Sequence, residues 1–336
     1  MVTPMAERLV LRRHGSAPQL VRQRAALMAG LRKSLDDQGL VEAMVPVLLP
    51  FAGQETHLHP PAVALDGLPG KLWLQTSPEL PLKRLLCGGV AALYALGPAF
   101  RGGREEISSH HQPEFTMLEW YHPGETLLLL EQDCLTLGAA AAEALQVRAP
   151  ERGASVSVAE ACERWAGLDA RDLFEGDLPR FAAAARAAGL TRCADSDDAA
   201  SLLGRVIVER IEPGLAALDG WVFLHSFPAA LAALSRADPD DPRQALRVEA
   251  YLGGVELANG YVELTDADEQ ARRWQHEQEQ RDSAAPAQDS QLLEDLRTSG
   301  PAPTVGMALG VDRLAMTLLG ASDLSDVLPL SLSLER

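Results

Sequence analysis

The sequence predicts an α+β protein: an antiparallel sheet flanked by helices. Three observations predict it. Strand-like and helix-like stretches follow one another without regular βαβ alternation. Gly253-Gly254 separates two strand-like runs and suits a two-residue hairpin turn, a connection that only antiparallel strands use. No G-x-x-x-x-G-K-[ST] loop and no G-x-G-x-x-G turn follows a strand, so the signatures of doubly wound nucleotide-binding sheets are missing.

The elements can be placed in order. The first 18 residues read as an arm, and residues 19–336 as one large domain, with a mainly helical insertion at about 123–218. Leu20, Leu27, Met28, Leu31 and Leu35 form one apolar stripe, which predicts a helix ending near Gly39. Leu40–Leu49 is strand-like, with Pro46 suiting an edge. Lys71–Thr76 and Ala91–Leu96 read as short buried segments. In Glu114–Tyr121 the alternation puts Phe115, Met117, Glu119 and Tyr121 on one face, with Glu114, Thr116, Leu118 and Trp120 on the other. Trp221–His225 reads as a strand. The Gly253-Gly254 turn pairs Leu252 with Val255 and Tyr251 with Glu256, which makes Glu249 a diagonal neighbour of Glu256, roughly 7–8 Å away. Asp266–Leu296 is polar, a solvated helix interrupted near Pro286. Thr304–Leu309 reads as a strand, Gly310 as a break and Val311–Leu319 as a helix.

Composition narrows the function. The 336 residues carry 47% hydrophobic and 23% charged side chains, which excludes wholesale disorder. Thirty Lys+Arg against forty-seven Asp+Glu leave a formal charge of -17, which argues against a chain built to grip nucleic acid. Cys87, Cys134, Cys162 and Cys193 are too far apart for a C-x-x-C site and are expected as free thiols. No stretch approaches the ~20 apolar residues that span a bilayer. The expectation is a soluble, cytoplasmic protein.

Four segments carry candidate chemistry. Thr76-Ser77-Pro78-Glu79 precedes a helix and taken alone is a capping turn, yet Glu79 can also accept bonds from an ammonium group. Phe100–Tyr121 pairs Arg101 with a Gly-rich charged loop and with Phe115. An Arg fork suits a phosphate and an aromatic ring suits a purine. Glu249 and Glu256, followed by Asn259, Gly260 and Glu263, taken alone make a hydrated acidic patch. Beside a phosphate-binding Arg they suit Mg²⁺, which takes one or two carboxylates plus substrate phosphates. Parity requires a bulge, expected at Asn259-Gly260, if Glu256 and Glu263 face one site. In the fourth segment, Gly306–Leu314, a strand opens into a helix with Arg313 in its first turn, an anion-binding arrangement.

Together these segments resemble motifs 2 and 3 of the class II aminoacyl-tRNA synthetases in their lysyl branch, and Leu20–Pro46 resembles motif 1, the dimer-forming element. HQPEFTMLEWY, ELANGYVELTDADEQ and GMALGVDRL carry the likeness, which extends from about residue 19 to the C-terminus. A lysyl-tRNA synthetase carries an anticodon-binding barrel of roughly a hundred residues ahead of this core, and 18 residues cannot build one. A core without that barrel resembles the elongation factor P–(R)-β-lysine ligases. They turn ATP into AMP and diphosphate while attaching (R)-β-lysine to a lysine side chain of translation elongation factor P. The resemblance implies a cytoplasmic homodimer using ATP and Mg²⁺, with (R)-β-lysine or lysine and elongation factor P as substrates, and neither tRNA nor membrane as a partner.

By the same resemblance Arg101 and Arg313 are the catalytic residues. Glu105, His111, Gln112, Phe115, Glu256, Leu257 and Gly310 join them around ATP, and Glu249 and Glu256 hold the metal. Ser77, Pro78, Glu79, Glu119, Tyr121, Asn259, Glu263 and Ala308 receive the amino acid. Ala308 stands where lysyl-tRNA synthetases usually have Gly. The chain departs from the family in three places. Its motif 2 loop has two extra residues, which leaves Glu105 and Glu106 as alternative readers of adenine. Gln112 replaces the usual Asn, and Val262 the usual His. Three rival readings are a truncated tRNA ligase, an amide-forming synthetase on an acidic substrate and a non-catalytic paralogue. The first needs a basic surface that the charge does not supply. The second needs a cation where Glu263 stands. The third would tolerate loss of Arg101, Glu256 or Arg313, and all three are present.

Overall fold

The computed structural model describes residues 7–11, 16–53, 58–67, 69–103, 106–191, 193–194, 196–279 and 289–334. In chain order these form β1 (Glu7–Leu11), α1 (Ser16–Asp37), β2 (Val41–Glu42), β3 (Leu48–Leu49), β4 (Ala62–Val63), β5 (Leu72–Leu74), α2 (Glu79–Cys87), β6 (Leu93–Phe100), β7 (Glu114–Pro123), α3 (Leu127–Leu145) and β8 (Arg152–Ser157). A helical unit follows: α4 (Val158–Ala161), α5 (Arg171–Glu175), α6 (Leu178–Ala187), α7 (Ala199–Val206) and α8 (Glu212–Leu215), with π-helical turns at Cys162–Ala166 and Ile207–Ile211. Then come β9 (Trp221–Pro228), β10 (Gln244–Leu252), β11 (Val255–Val262), α9 (Ala267–Glu279), α10 (Ser290–Ser299), β12 (Thr304–Gly310), α11 (Val311–Leu318) and β13 (Leu330–Leu334).

Eight strands make one sheet in the order β2-β6-β7-β12-β11-β10-β9-β8, parallel only at its two edges. That is the α+β architecture the sequence predicts. Alternation gives the sheet two different faces. One presents Tyr94, Leu118, Trp120, Val248, Ala250, Met307 and Leu309, covered by the leucine stripe of α1 and by α3 and α11. Trp120 is almost wholly buried, and removing such a ring from a core costs about 3–5 kcal/mol. The opposite face is the floor of the site. The helical unit covers its β9–β10 end, where Phe181, Leu203, Val206 and Ile211 pack with Val222, Leu224, Phe227 and Tyr251. A capping box of Ser157 and Glu160 starts that unit.

The structure differs from the sequence reading at several elements. Glu7–Leu11, in the stretch read as an arm, pairs with β13. Leu40–Leu49 is split, since Val41–Glu42 joins the edge of the main sheet and Leu48–Leu49 a small sheet with β5 and β4. Pro46 lies between them. The stretch read as a helical insertion is also divided: α3 belongs to the main core, β8 to the main sheet, and only the helices after β8 form a separate cluster. The polar Asp266–Leu296 stretch is not simply solvated. Trp274, Leu292, Leu293 and Leu296 bury against Phe51, Leu80 and Cys87, closing the site at its other end.

The hairpin register is the one expected, Leu252 with Val255 and Tyr251 with Glu256. Gly253 and Gly254 both take positive φ. A bulge is present too, but not at Asn259-Gly260. Tyr251 pairs with Glu256 while Ala250 pairs with Ala258, so Leu257 is the extra residue. One extra residue reverses the parity of β11, which brings Glu256 onto the face of Asn259, Tyr261 and Glu263.

Candidate active site

A cavity of ≈ 760 Å³ lies on the floor of the sheet, walled by the helical unit on one side and by α2 and α9 on the other. Register sets the floor in rows. Glu249, Asn259, Ala308 and Glu119 lie side by side on four adjacent strands, and Arg247, Tyr261, Gly306 and Tyr121 make the next row. The alternation read from Glu114–Tyr121 is the one observed. Phe115, Met117, Glu119 and Tyr121 line the cavity, while Leu118 and Trp120 sit in the core.

One end of the cavity gathers the arginines. Arg101 follows β6 and carries its guanidinium 5.2 Å from the centre of the Phe115 ring, with its Nε buried and lacking a hydrogen-bond partner among the described residues. Arg313, in the first turn of α11, donates to the carbonyls of His110 and Glu256, each at 3.1 Å, and contacts His111 Nε2 at 2.6 Å. Burial, then the charges of Arg313 and Arg101, lower the His111 pKa to about 4. The ring is therefore neutral. It accepts from Arg313 at Nε2, and its Nδ1 is left to donate to Ser108 Oγ at 2.9 Å. Gln112 lines the cavity, and its Oε1 accepts from the Leu332 amide of β13. Leu257 and Gly310 also line it. A Cβ on Gly310 would meet no atom closer than 3.8 Å, so the space beside the helix start is open. Glu106 faces the cavity, whereas Glu105 lies outside the described residues.

Glu249 and Glu256 come from the hairpin. Glu249 is buried and accepts from Arg247 and from the Tyr251 hydroxyl, each at 2.6 Å. Burial pushes its pKa up, Arg247 opposes that, and the Glu256 charge adds to it. The Glu256 carboxylate makes no hydrogen bond or ion pair with the described residues. A buried carboxylate raised by burial and a like-charged neighbour, beside a second carboxylate with open acceptors, fits a divalent cation. Among the described residues no three His, Cys, Asp or Glu side chains are grouped to hold a metal.

The other end gathers carboxylates. Glu119 is buried and accepts from Ser77 Oγ at 2.5 Å and from the Tyr121 hydroxyl at 2.6 Å. Burial, with the Glu79 charge adding, pushes its pKa up to about 8. Ser77 also accepts from the Glu79 amide at 2.9 Å, so the capping role and the site role coincide, with Pro78 as the residue before the helix. Burial likewise raises Glu263, to about 7, against the opposing charge of Lys83. Asn259 accepts from Arg247 at 3.2 Å and donates to Tyr261 at 2.9 Å.

Sequence reasoning missed four participants. Arg247 lies over the Phe227 ring at 4.2 Å and fixes Glu249 and Asn259. Its place two residues before Glu249 was a signal, since β-strand parity sends both to one face. Arg24 of α1 pairs with Asp312 at 2.5 Å and with Thr116, and Asp312 also accepts from the Thr116 amide, which ties α1, β7 and α11 together. Glu212 reaches the cavity from the helical unit, where burial and Glu256 raise its pKa. Lys83 pairs with both Glu79 and Glu263. Apart from the i,i+4 pair of Lys83 with Glu79, these last three sets of contacts join residues far apart in the chain, which no local pattern announces.

An antiparallel sheet whose cavity holds paired arginines at one end and buried carboxylates at the other defines a class II synthetase-type catalytic domain. The family model for class II tRNA synthetases (D, K and N) matches residues 2–332. An elongation factor P–(R)-β-lysine ligase of Yersinia enterocolitica is 37% identical over 317 residues, 91% of this chain and 93% of that protein. Ligases of the same name from Erwinia tasmaniensis and Salmonella paratyphi B are 37% and 35% identical, over 91% and 96% of the chain and 93% and 98% of their own lengths. The chain belongs to the class II aminoacyl-tRNA synthetase family and, within it, to the group of the elongation factor P–(R)-β-lysine ligases. It is a ligase, and ligases of this fold use ATP. Among the described residues no helix is long and apolar enough to cross a membrane.

Proposed function

We propose that this enzyme activates (R)-β-lysine, or lysine, as its adenylate and transfers it to a lysine side chain of translation elongation factor P. The observation that carries the reading is the polarity of one continuous cavity. Arginines and an aromatic ring suited to a nucleotide occupy one end, and buried carboxylates suited to amines the other. In the first step a carboxylate oxygen of the amino acid attacks the α-phosphorus of ATP and the bond to diphosphate breaks. The nucleophile is already ionised, so positioning and charge stabilisation do the work. Arg101 holds the α-phosphate and the attacking carboxylate, Arg313 the γ-phosphate, and neutral His111 stands beside the phosphates. Phe115 stacks on adenine, with Glu105 or Glu106 reading its amino group, and Gln112, Leu257 and Gly310 line the nucleotide. Glu249 and Glu256 would hold Mg²⁺, which would supply positive charge against the phosphates.

At the other end Glu79 and Glu119, with Ser77 and Pro78, receive the ammonium near the carboxylate. Tyr121, Asn259 and Glu263 receive the distal one, and Ala308 shapes the floor between them. In the second step the acceptor amine attacks the acyl carbon, AMP leaves and one proton is released. The protein acts as a homodimer through the Leu20–Pro46 region. Met44, fully exposed, and Val41, 61% exposed at the sheet edge, support that surface.

The test is the intact mass of elongation factor P after incubation with the enzyme, ATP, Mg²⁺ and (R)-β-lysine, with tRNA charging run alongside. A single lysyl-sized gain on the factor with uncharged tRNA is expected. Charged tRNA with an unmodified factor would overturn the acceptor, and absence of pyrophosphate exchange with every lysine isomer would overturn the chemistry.

A further inference from the structure

Lys83 is the one lysine whose side chain is buried against this site. It lies on α2, four residues after Glu79, and the two share one face of the helix. Its Nζ pairs with Glu79 and lies 2.7 Å from Glu263, whose strand approaches from the opposite side. The side chain is 8% exposed, and its neighbours Leu82 and Leu86 belong to an apolar cluster with Leu93, Ala95 and Tyr121. A buried ammonium is costly unless it is paired, and this one is paired twice. Burial works against its charge, but Glu263 and Glu79 outweigh it and hold the proton on.

Both partners line the cavity, whereas Lys83 stands behind them and does not. The Oε2 of Glu263 lies 2.7 Å from Nζ and, among the described residues, is otherwise without a hydrogen-bond partner, so it keeps acceptor capacity in a buried place. The groups facing the ammonium are Glu79 and Cys87 on its own helix, Glu119 on β7, and Glu263 after β11. Arg84, the next cation on α2, turns away to Asp295 of α10 at 2.9 Å.

We propose that Lys83 is the resident counter-ion of the amino-acid pocket. It ties Glu79 to Glu263 from behind, so that three carboxylates face one fixed ammonium and two negative charges remain for a ligand with two ammonium groups. Lys83 is thus a positioning residue that selects diamino over monoamino substrates through the carboxylates it holds. The inference rests on the proposed use of this end for the amino acid. Removing the cation raises Glu119 and Glu263 further, because Lys83 lowers both. The pocket then needs a more alkaline pH to reach the charge that it carries with Lys83 in place.

The test is Lys83→Met, a neutral side chain of similar length, assayed by lysine-dependent pyrophosphate exchange across pH. We expect the KM for the amino acid to rise about ten-fold or more at neutral pH, as loss of a charge-assisted contact does. The gap narrows as pH becomes alkaline and the KM for ATP is unchanged, and in Lys83→Ala, which leaves room for a small amine, ethylamine partly restores the KM. A folded variant with the wild-type KM and pH profile would overturn the proposal. So would a fall in kcat alone without amine rescue, which marks a purely structural role. Calorimetry on the unmodified enzyme covers the case in which the variant does not fold. There 1,5-diaminopentane should bind about ten-fold more tightly than pentylamine, and equal binding sinks the proposal. Diamine preference without any lysine-dependent exchange would instead sink the proposed function and leave the counter-ion standing.

Discussion

Arg313 is positioned by three atoms from two other segments, the carbonyls of His110 and Glu256 and the His111 ring. Substituting Arg313 with Ala should lower pyrophosphate exchange about 100-fold or more, as loss of a transition-state charge donor does. The fold should persist, since water can reach the carbonyls left behind at the cavity edge, and a melting curve beside the exchange assay checks both. Ala308 sits in the floor between Asn259 and Glu119. One methyl supports only about 1–3 kcal/mol of discrimination. Ala308→Gly should therefore shift the preference from (R)-β-lysine toward lysine by about ten-fold, read as the ratio of kcat/KM for the two isomers. The carboxylates set the pH dependence. Glu263 and Glu119 are raised to about 7 and about 8, so both carry protons in acid and must lose them to pair with ammonium groups. Amino-acid affinity should rise with pH through that range, and a KM that is flat there would contradict the assignment.

At the scale of elements, Gly306 shows why strand β12 cannot change freely. A Cβ there would lie 2.2 Å from Tyr121 Cε1 and 2.4 Å from Glu263 Oε1. Gly306→Ala should raise the amino-acid KM more than the ATP KM and cost about 1–3 kcal/mol of stability, measured by denaturant unfolding. Much at this scale was legible in the sequence. The β7 alternation, the leucine stripe of α1 and the hairpin at Gly253-Gly254 are local, and local periodicity is what a strand or helix writes into its residues. The need for a bulge was legible from the parity of Glu256 and Glu263, but its place at Leu257 was not, because the extra residue is defined by the partner strand. The pairing of Lys83 with Glu263 and of Arg24 with Asp312 was invisible for the same reason. It depends on which elements meet, and α2 meets the residue after β11 across the fold, not along the chain.

At the scale of the molecule, the exposed Val41 and Met44 beside an edge strand of only two residues leave the main sheet open where α1 ends. Size-exclusion chromatography with light scattering should find a dimer, and Met44→Asp with Val41→Asp should yield a monomer with its melting transition intact. A monomeric wild type would remove that assignment. The two-faced sheet has a further consequence. Along β7, neighbouring residues answer to different demands: Leu118 and Trp120 are held by the core, and Glu119 and Tyr121 by the ligand. Where a cavity-face position has room, unlike Gly306, a change there does not enter the packed face directly. Such a sheet is evolvable. A lineage can exchange the molecule it acylates, or the isomer it prefers, through alternate positions of a few strands, while the intervening positions keep the protein folded throughout.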